Sequence, residues 1–369
     1  MICRFALALF LIFSNFIILA PAQDVSSFMP DSSKVVKPKK SFFYNIAKKI
    51  TAVDTNYISP NRYYASAMVL GEKQYSFFSL RTKNKDGRDQ ELLFSPNSPF
   101  RVGPYIGYSL FFLGYTFDFG ARKSSFDRTN VSISLYSRLI GVDYVYESGM
   151  RNYKIKSVSG FGDNVAKQVR NTPFSGMSTY MINLHIYYLF NNKHFSYPAA
   201  YSQSTIQKRS SGSFILGFNY TKEKINFDYT QLPEVLLKDE KGNNLYSDEL
   251  KISNVRYRDY SFSVGYGYNW AFHKNFLANL TFSPTIGYNL SEGEKFNAKE
   301  YLFDLDALNF DFISRASVVW NNSKYFAGIA VVAHTYSYKK PTFSIRNSLV
   351  TASIYAGLNF IKKRKYKNK

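Results

Sequence analysis

The stretch that decides the fold is residues 101–120, RVGPYIGYSLFFLGYTFDFG, where Gly and Pro interrupt a run rich in Phe and Tyr. From residue 112 onward two kinds of side chain alternate. One set is Phe112, Gly114, Thr116 and Asp118, and the other is Leu113, Tyr115, Phe117 and Phe119. Successive side chains of a β-strand point to opposite faces, so one face here is apolar and the other mostly small or polar. The stretch therefore predicts strand and not helix.

The same alternation recurs along the chain. It is found at 130–136, 180–190, 213–220, 261–270 and 350–360. These runs are about ten residues long, the length with which a tilted strand crosses a bilayer, and their second face carries Gly, Ser, Asn and Thr. Hydrocarbon next to the apolar face forbids an unpaired strand edge. The sequence therefore predicts an all-β fold, a single closed antiparallel transmembrane β-barrel.

About twelve strands are predicted, within a range of roughly 10–14. The candidate strands are 62–81, 100–108, 111–119, 129–137, 140–147, 179–190, 212–221, 256–270, 275–290, 310–320, 324–337 and 344–360. Long connections are predicted at 82–99, 148–178, 222–255 and 291–309. Short turns of such barrels face the periplasm and long loops face outward. Trp270, Trp320 and Phe360 then end strands on the periplasmic side and are predicted to form an aromatic girdle there.

The N-terminal residues indicate export. Residues 1–22 read as a cleaved secretory signal peptide, with Arg4 before an apolar run and Ala-Pro-Ala at its end. The alternative, a membrane anchor, is disfavoured because the run is short and polar residues break it. Cys3 is the only cysteine, so the mature chain is predicted to have no disulfide and no thiol nucleophile. Residues 23–60 are interpreted as a periplasmic linker, in which 41–50 forms either a short amphipathic helix or an ordinary lead-in to the barrel at 61–360.

The formal net charge of +21 indicates which partners to expect. An exported chain rarely meets nucleic acid, so the lipid bilayer and its anionic phosphates are the predicted partners, with solvated loops as the plainer alternative. The basic segment 148–178 is a candidate for holding lipopolysaccharide phosphates. Its cations are Arg151, Lys154, Lys156, Lys167 and Arg170. A basic tail is predicted at 361–369, on the periplasmic side.

The chain has four histidines, the side chains that most often act as a general base: His185, His194, His273 and His334. The segment HTYS at 334–337 suggests a hydrolase, but strand residues three apart point to opposite faces, so His334 is not expected to reach Ser337. No histidine pair has metal-ligand spacing, and no glycine-rich phosphate loop precedes a helix. No catalytic residue, metal or cofactor is therefore predicted. A membrane-embedded lipid hydrolase or acyltransferase that uses an inward or rim histidine remains an alternative.

Polar and charged residues on the predicted inward face are candidates for lining the lumen. They are Asp118, Asp143, Asn183, His185 and Arg315. Rings of such charges set ion preference in pores. In a barrel of this size they can instead form internal ion pairs that fill the lumen. Both interpretations stay open at this point.

Two segments, DTNYISPNRYY at 54–64 and LLFSPNSPFRVGPYIGYSLFFLGYTFDF at 92–119, resemble a domain-of-unknown-function family of predicted bacterial outer-membrane barrels. The matching positions are Asp54, Thr55, Tyr57, Ile58, Phe94, Ser95, Pro96, Gly103, Pro104, Tyr105, Gly107, Leu113, Gly114, Tyr115, Phe117 and Asp118. The chain departs from the family pattern at Tyr108-Ser109, where Trp-Arg is expected. The resemblance implies the fold and an outer-membrane location, and it implies no activity.

The end of the last predicted strand, YAGLNF at 355–360, resembles the signal that the barrel-insertion machinery reads. That machinery is therefore a predicted partner during assembly. Taken together, the residues predict an integral outer-membrane protein, either a small passive channel or a structural or surface barrel. A lipid-modifying enzyme and a lipopolysaccharide-binding barrel are the alternatives.

Overall fold

In a computed structural model, the described residues are 53–60, 62–82, 89–108, 111–114, 116–119, 129–239, 241–291, 308–340 and 343–367. The strands are β1 Ile58–Pro60, β2 Tyr63–Thr82, β3 Glu91–Pro96, β4 Phe100–Tyr108, β5 Phe111–Gly114, β6 Phe117–Asp118, β7 Thr129–Tyr136, β8 Ile140–Met150, β9 Tyr153–Ser159, β10 Pro173–Phe174, β11 Met177–Leu189, β12 Thr205–Gln207, β13 Ser211–Phe227, β14 Asn254–His273, β15 Phe276–Ser291, β16 Leu308–Asn321, β17 Tyr325–Lys339 and β18 Phe343–Lys362. The α-helices are α1 Asp163–Val169, α2 Tyr197–Tyr201 and α3 Glu234–Leu237, and 3-10 turns occupy Tyr229–Gln231, Asp248–Leu250 and Arg364–Tyr366. None of these helices is long and apolar enough to span a membrane.

Most strands belong to one antiparallel sheet of 16 strands, so the all-β prediction is confirmed and the predicted number, about twelve, is wrong. Part of the excess lies in segments predicted as loops, which contain β3, β9 and β10. In addition, the predicted strand 111–119 forms two short strands, β5 and β6. The long strand β2 makes room for the extra strands, because its first half pairs with β4 and its second half pairs with β3.

Side-chain contacts between distant strands show that the sheet curls round on itself. Strand β8 and strand β16 are several positions apart in the sheet, yet Arg315 Nη2 lies 2.5 Å from Asp143 Oδ2. Likewise, Asn347 Nδ2 in β18 donates to Glu223 Oε1 in β13 at 2.8 Å. The first long strand, β2, pairs with the last, β18. The described pairings join no strand to the second edge of β7, so they do not show the closed barrel that the sequence predicts.

The two faces of the sheet differ in the way the alternation predicts. From Tyr260 to Trp270 in β14 and from Phe276 to Ile286 in β15 most outward side chains are exposed and apolar, as in Phe262 at 63% and Leu280 at 64%. We call these outward apolar side chains the apolar belt. Its further members include Phe214, Leu216, Val264, Tyr266, Phe282, Ile286, Phe310, Ile329, Ile354 and Leu358. The inner face carries buried polar residues, among them Ser213, Asn219, Ser261, Ser263, Asn269, Asn279, Thr281, Ser283, Thr285 and Ser317.

Inward glycines allow these inner side chains to approach each other. A Cβ at Gly265 would lie 2.0 Å from Ser283 Oγ, and a Cβ at Gly217 would lie 2.7 Å from His185 Nε2. Neither position tolerates a larger side chain unless its neighbours move. The glycines that interrupt the strand runs therefore serve packing within the curled sheet.

The two ends of the curled sheet are named here by their position along the strands. We call the end with the short connections at 137–139, 274–275 and 322–324 the turn end, and the opposite end the loop end. At the loop end a large apolar cluster, here called the cap, covers the inner face. The cap includes Phe78, Phe94, Met150, Tyr153, Ile155, Phe161, Phe174, Met177, Ile225, Phe227, Leu236, Tyr246, Leu250, Tyr257, Tyr338 and Ile345.

The cap corrects the prediction of a simple basic loop at 148–178. That segment contains the end of β8, then β9, α1 and β10, and β9 pairs with β3. Its apolar residues, such as Phe174, pack against rings from other strands, with the Phe94 and Phe174 ring centroids 5.1 Å apart. The segment is therefore folded, because its apolar residues add to a core that the strand ends share.

The predictions for the chain termini stay predictions. The signal peptide 1–22 with Cys3, and the helix at 41–50, lie outside the described residues. At the other terminus β18 continues to Lys362 and the turn Arg364–Tyr366 follows, so the basic tail begins as ordered structure. One contact that fixes it is the guanidinium of Arg62, which lies 6.0 Å from the centroid of the Tyr366 ring.

Candidate functional site: the polar interior and its plug

The inner face at mid-height holds an ion pair between residues that the sequence predicts to face inward. Asp143, Asn183, His185 and Arg315 are each at most 5% exposed. Asp143 Oδ2 lies 2.5 Å from Arg315 Nη2 and 3.6 Å from His185 Nδ1. Its other oxygen accepts from Ser134 Oγ at 2.6 Å. The structure thus brings two predicted residues, Arg315 and His185, to the carboxylate of a third, Asp143.

The guanidinium of Arg315 is also enclosed by tyrosines. Its carbon lies 5.4 Å from the centre of the Tyr187 ring, and its Nη1 donates to Tyr136 Oη at 3.4 Å. A cation over an aromatic face with a carboxylate at its edge is held firmly. This arrangement is an internal ion pair within the curled sheet, and the two charges do not stand apart as members of an open ring would.

Two histidines meet beside this ion pair, and sequence reasoning did not predict their contact. The rings of His185 and His334 are 6.2 Å apart, centre to centre. Within the described part of the chain, His334 Nδ1 and both ring nitrogens of His185 lack a hydrogen-bond partner. The hydroxyl of Ser337 donates to Asp311 Oδ1 at 2.8 Å, so it is not paired with His334. The geometry therefore does not present a serine–histidine pair at HTYS.

Nearer the loop end, two buried glutamates extend the polar interior. Glu223 accepts from Tyr257 Oη and from Asn347 Nδ2, and Glu147 accepts from Gln74 Nε2. Sequence reasoning missed Glu223 because it placed 222–255 in a connection. The alternation continues past residue 220, and that signal would have located it.

The turn end is occupied by a segment that the sequence left without an assignment. Residues 190–210, here called the plug, fold back against the inner face and contain α2 and β12. Tyr197 Oη donates to Thr281 Oγ1 at 2.9 Å, and Tyr201 Oη donates to Asn279 Oδ1 at 2.6 Å. The buried plug residues include Phe195, Tyr197, Ala199 and Ala200. Their aromatic and small side chains fill the space between the strands.

Amide side chains also hold the plug from several strands. Asn269 Nδ2 in β14 donates to the carbonyl of Ser196 at 3.0 Å. Gln203 Nε2 donates to Tyr355 Oη in β18 at 2.9 Å. Because β14 and β18 lie on different parts of the curled sheet, these bonds tie the plug across the interior.

The family-motif residues near the N-terminus bind the plug through backbone and side-chain contacts. Strand β1 pairs with β12, and Lys208 N donates to the carbonyl of Tyr57 at 2.7 Å. Asp54 Oδ2 lies 3.3 Å from His194 Nε2, and the Tyr57 ring packs edge-on against His194 at 4.4 Å. Lys208 Nζ donates to the carbonyl of Thr55 at 2.7 Å. The motif Asp-Thr-x-Tyr-Ile therefore helps to hold the plug in place. Residues 54–60 are here called the clasp.

Other motif residues lie in the sheet. Gly103, Pro104 and Gly107 are in β4, and Gly114 is in β5. Asp118 lies in β6 opposite Arg101, which forms an ion pair with Glu72 at 2.9 Å. Nothing is described of the Asp118 side chain, so its inward direction stays a prediction.

Trp270, Trp320 and Phe360 all lie close to the turn end of their strands. Trp270 is 57% exposed and Phe360 is 37% exposed, as residues on an outward face are. The positions agree with an aromatic girdle, and the girdle's place at a membrane interface stays a prediction.

The clasp predicts a pH effect. The backbone N–H of Asn56 and, to a smaller extent, His194 lower the pKa of Asp54 below its usual range. The ionised Asp54 carboxylate therefore stabilises the clasp fully at pH values above the usual carboxyl pKa. This stabilisation is lost as the pH falls through the lowered pKa of Asp54. We expect the Lys208 amide to lose hydrogen-exchange protection as pH falls below about 4.

The variant Asp54→Asn tests this directly. It retains an acceptor for the Asn56 N–H but removes the charge beside His194, so the protection of Lys208 should be lower and nearly independent of pH. Asp239→Asn, in a loop away from the clasp, serves as the control. A wild-type protection factor that stays constant between pH 2 and 6 would contradict the expectation.

Comparison with known proteins agrees with the resemblance noted above. No curated protein matches the chain. An outer-membrane channel from Pseudomonas putida F1 matches at 8% identity and a TM-score of 0.28, covering 81% of this chain and 97% of its own. The P. putida toluene transporter TodX matches at 8% identity and a TM-score of 0.25, and the match covers 81% of this chain and 91% of the transporter chain. OprG, an outer-membrane protein of Pseudomonas aeruginosa, matches at 8% identity and a TM-score of 0.25, and the match covers 82% of this chain and 98% of the OprG chain.

Similarity at these TM-scores carries no argument about function. The family assignment rests on the sequence, because one family model matches residues 52–360 and so includes the clasp, the plug and the strands from β2 to β18 up to residue 360. This chain belongs to the family described as Domain of unknown function (DUF4421).

Proposed function

We propose that the chain is an integral outer-membrane β-barrel with a filled interior, which acts through its surfaces and not by passing solutes. The observation that carries this proposal is that both ends of the interior are covered. The plug covers the turn end and the apolar cap covers the loop end. Between them, Asp143 and Arg315 neutralise each other.

The membrane location is supported by the outward face. Soluble proteins rarely expose an apolar patch larger than a few hundred Å². Here exposed Phe, Tyr, Leu, Ile and Val residues continue across neighbouring strands, as the 63% exposure of Phe262 next to the 56% exposure of Ile286 illustrates. Lipid next to this belt would remove its contact with water.

The proposed membrane location also requires the barrel to close. Strands β4 to β6 precede β7 in the chain, and β7 uses only one of its edges in the described pairings. An open edge in hydrocarbon leaves several backbone groups without partners, each at a cost of several kcal/mol. We therefore infer that β7 pairs with the β5–β6 segment and completes a cylinder, with the turn end in the periplasm.

Planar-bilayer recordings test the proposal. The purified full-length protein, with insertion checked by co-flotation with liposomes, is expected to produce no steady single-channel steps. Reproducible steps of fixed size would overturn the filled-interior proposal. A chain that stays soluble without detergent and does not float with liposomes would overturn the membrane location.

A second candidate, a small channel that opens when the plug moves, is favoured by one observation. Several buried polar atoms at mid-height lack partners among the described residues, including His185 Nε2, Ser263 Oγ and Asn219 Nδ2. Such groups suit a wet passage more than a permanently packed core. In this candidate the conductance steps appear only after the clasp releases the plug.

A further inference from the structure

Two carboxylates lie side by side on the inner face, near the loop end of β14 and β16. Asn309 Nδ2 donates to Asp259 Oδ2 at 3.2 Å and to Asp311 Oδ2 at 2.9 Å. Among the described residues neither carboxylate is in an ion pair, and Arg315, on the same strand as Asp311, is bonded to Asp143. Two adjacent carboxylates that are shielded from water repel each other, and one neutral amide does not balance their charge.

The space above Gly287 lies between these groups. Gly287 in β15 is opposite Ser261 on one side and opposite Asn309 on the other. A Cβ at Gly287 would collide with Asp259 Oδ2 and would lie 2.9 Å from Asn309 Oδ1. Because glycine has no side chain, a carboxylate oxygen and an amide oxygen converge on the same small space.

Two buried amide oxygens in this part of the inner face have no hydrogen-bond donor among the described residues. Asn309 is 1% exposed, and its Oδ1 is one of them. The other is Oδ1 of Asn289, which is 6% exposed and lies opposite Asp259 in the register. Buried polar atoms nearly always have a partner, and a bound ion is one explanation for an apparent exception. Acceptor oxygens beside two carboxylates fit a cation and not an anion.

Asp311 is fixed in this group by the neighbouring strand β17. The described register of β16 and β17 stops at the pair Ile313–His334. Beyond that pair, Asp311 Oδ1 accepts from Ser337 Oγ at 2.8 Å and its Oδ2 accepts from the Ser337 N–H at 3.0 Å. Arg346 Nε donates to the same hydroxyl at 3.4 Å and not to the carboxylate. The negative charge of Asp311 is therefore held next to Asn309 by β17.

We propose that Asp259 and Asn309 hold a calcium ion above Gly287. Asn289 is a further oxygen ligand, and Asp311 orients the Asn309 amide and supplies the second negative charge. Calcium takes about six to eight oxygen ligands from carboxylates, amide carbonyls and water, and it tolerates irregular geometry that magnesium does not. No three His, Cys, Asp or Glu side chains form a metal-ligand group in the part of the chain that the structure describes, so the amide oxygens are necessary members of this site.

This inference goes beyond the proposed function and does not depend on the membrane location, because it rests on contacts within the curled sheet. The ion would join β14, β15 and β16 beneath the cap. Tyr257 of the cap lies two residues from Asp259 on the same face of β14. Calcium is therefore expected to stabilise the loop end of the sheet.

The test measures calcium binding to the purified full-length protein in detergent micelles, after removal of divalent ions with EDTA. Equilibrium dialysis with radioactive calcium should show about one tightly bound ion per chain. We expect Asp259→Asn to bind calcium at least about 100-fold more weakly, because it removes a charged ligand. The control Asp163→Asn makes the same chemical change at an exposed residue of α1 and should bind as the wild type does.

A second variant separates a calcium ligand from a purely structural amide. Asn309→Asp keeps an oxygen above Gly287 and adds a charge, so it should bind calcium at least as tightly as the wild type. If the amide only bridges two carboxylates, a third carboxylate would weaken the group whether calcium is present or not. Tighter binding by Asn309→Asp therefore supports the site.

Thermal unfolding of the wild type gives a measurement that needs no variant. Calcium at about 100 times its dissociation constant should raise the unfolding midpoint by about 5 °C over the value in EDTA. Equal midpoints in calcium and in EDTA, or no binding at millimolar calcium, would overturn the inference. Asp259→Asn that folds and binds calcium like the wild type would also overturn it. Tighter binding of magnesium than of calcium would overturn the choice of ion.

Discussion

Replacing Arg315 by methionine is expected to lower the free energy of unfolding by about 3–5 kcal/mol, the largest effect we predict for a single substitution. The carboxylate of Asp143 is 5% exposed and would lose its closest cationic partner, at 2.5 Å. Ser134 would remain as a donor, but one hydroxyl does not replace a guanidinium. The measurement is urea unfolding in lipid vesicles, followed by tryptophan fluorescence.

Two further variants give this prediction its controls. Arg151→Met makes the same chemical change at an exposed position and should alter stability by less than about 0.5 kcal/mol. The double variant Asp143→Leu/Arg315→Met removes both charges and should regain most of the loss, because a buried ion pair is often replaceable by apolar residues. A single Arg315→Met variant within about 1 kcal/mol of the wild type would show that Asp143 is not desolvated.

Removing the plug is expected to expose the interior from the turn end. Thr281 lies beneath Tyr197 and is 2% exposed, and Cys3 is the only natural cysteine. In a protein carrying Cys3→Ser and Thr281→Cys, a charged thiol reagent should react slowly. Deletion of residues 193–210 joins Asn192 to Ser211 and leaves a connection of common hairpin length between β11 and β13. Labelling of the Thr281→Cys thiol should then become at least about 100-fold faster, because the local structure that closes the interior has been removed.

The position of the control cysteine separates access from general unfolding. Ser253→Cys, exposed at the loop end, should label equally fast with and without the plug. The deletion should still give no conductance, because the cap remains at the other end. Fast labelling of Thr281→Cys in the intact protein would show that the plug does not cover the interior.

The strands themselves are largely predictable from local pattern. All twelve predicted segments contain strands, including the long β14 and β18, because alternation with a period of two is visible in the residues themselves. The errors occur where the apolar residues lack a long alternating run. Strands β3, β9 and β10 were missed, since their residues are stabilised by the cap and not by their own periodicity.

The candidate site was predicted as separate residues and not as an arrangement. Asp143, His185 and Arg315 were identified as inward by alternation, but nothing in the sequence relates residue 143 to residue 315. Their contact depends on the curl that brings β8 opposite β16. His334, Glu223 and the plug tyrosines join the interior for the same reason.

By itself, the sequence of this protein determined which segments are strands and which side of each is apolar, because the backbone imposes that alternation locally. Only the tertiary structure decided that the inward charges pair, that residues 190–210 fold back as a plug, and that the Asp54–Tyr57 motif grips it. These contacts join residues far apart in the chain, and their geometry is set by the curl of the sheet, to which every strand contributes.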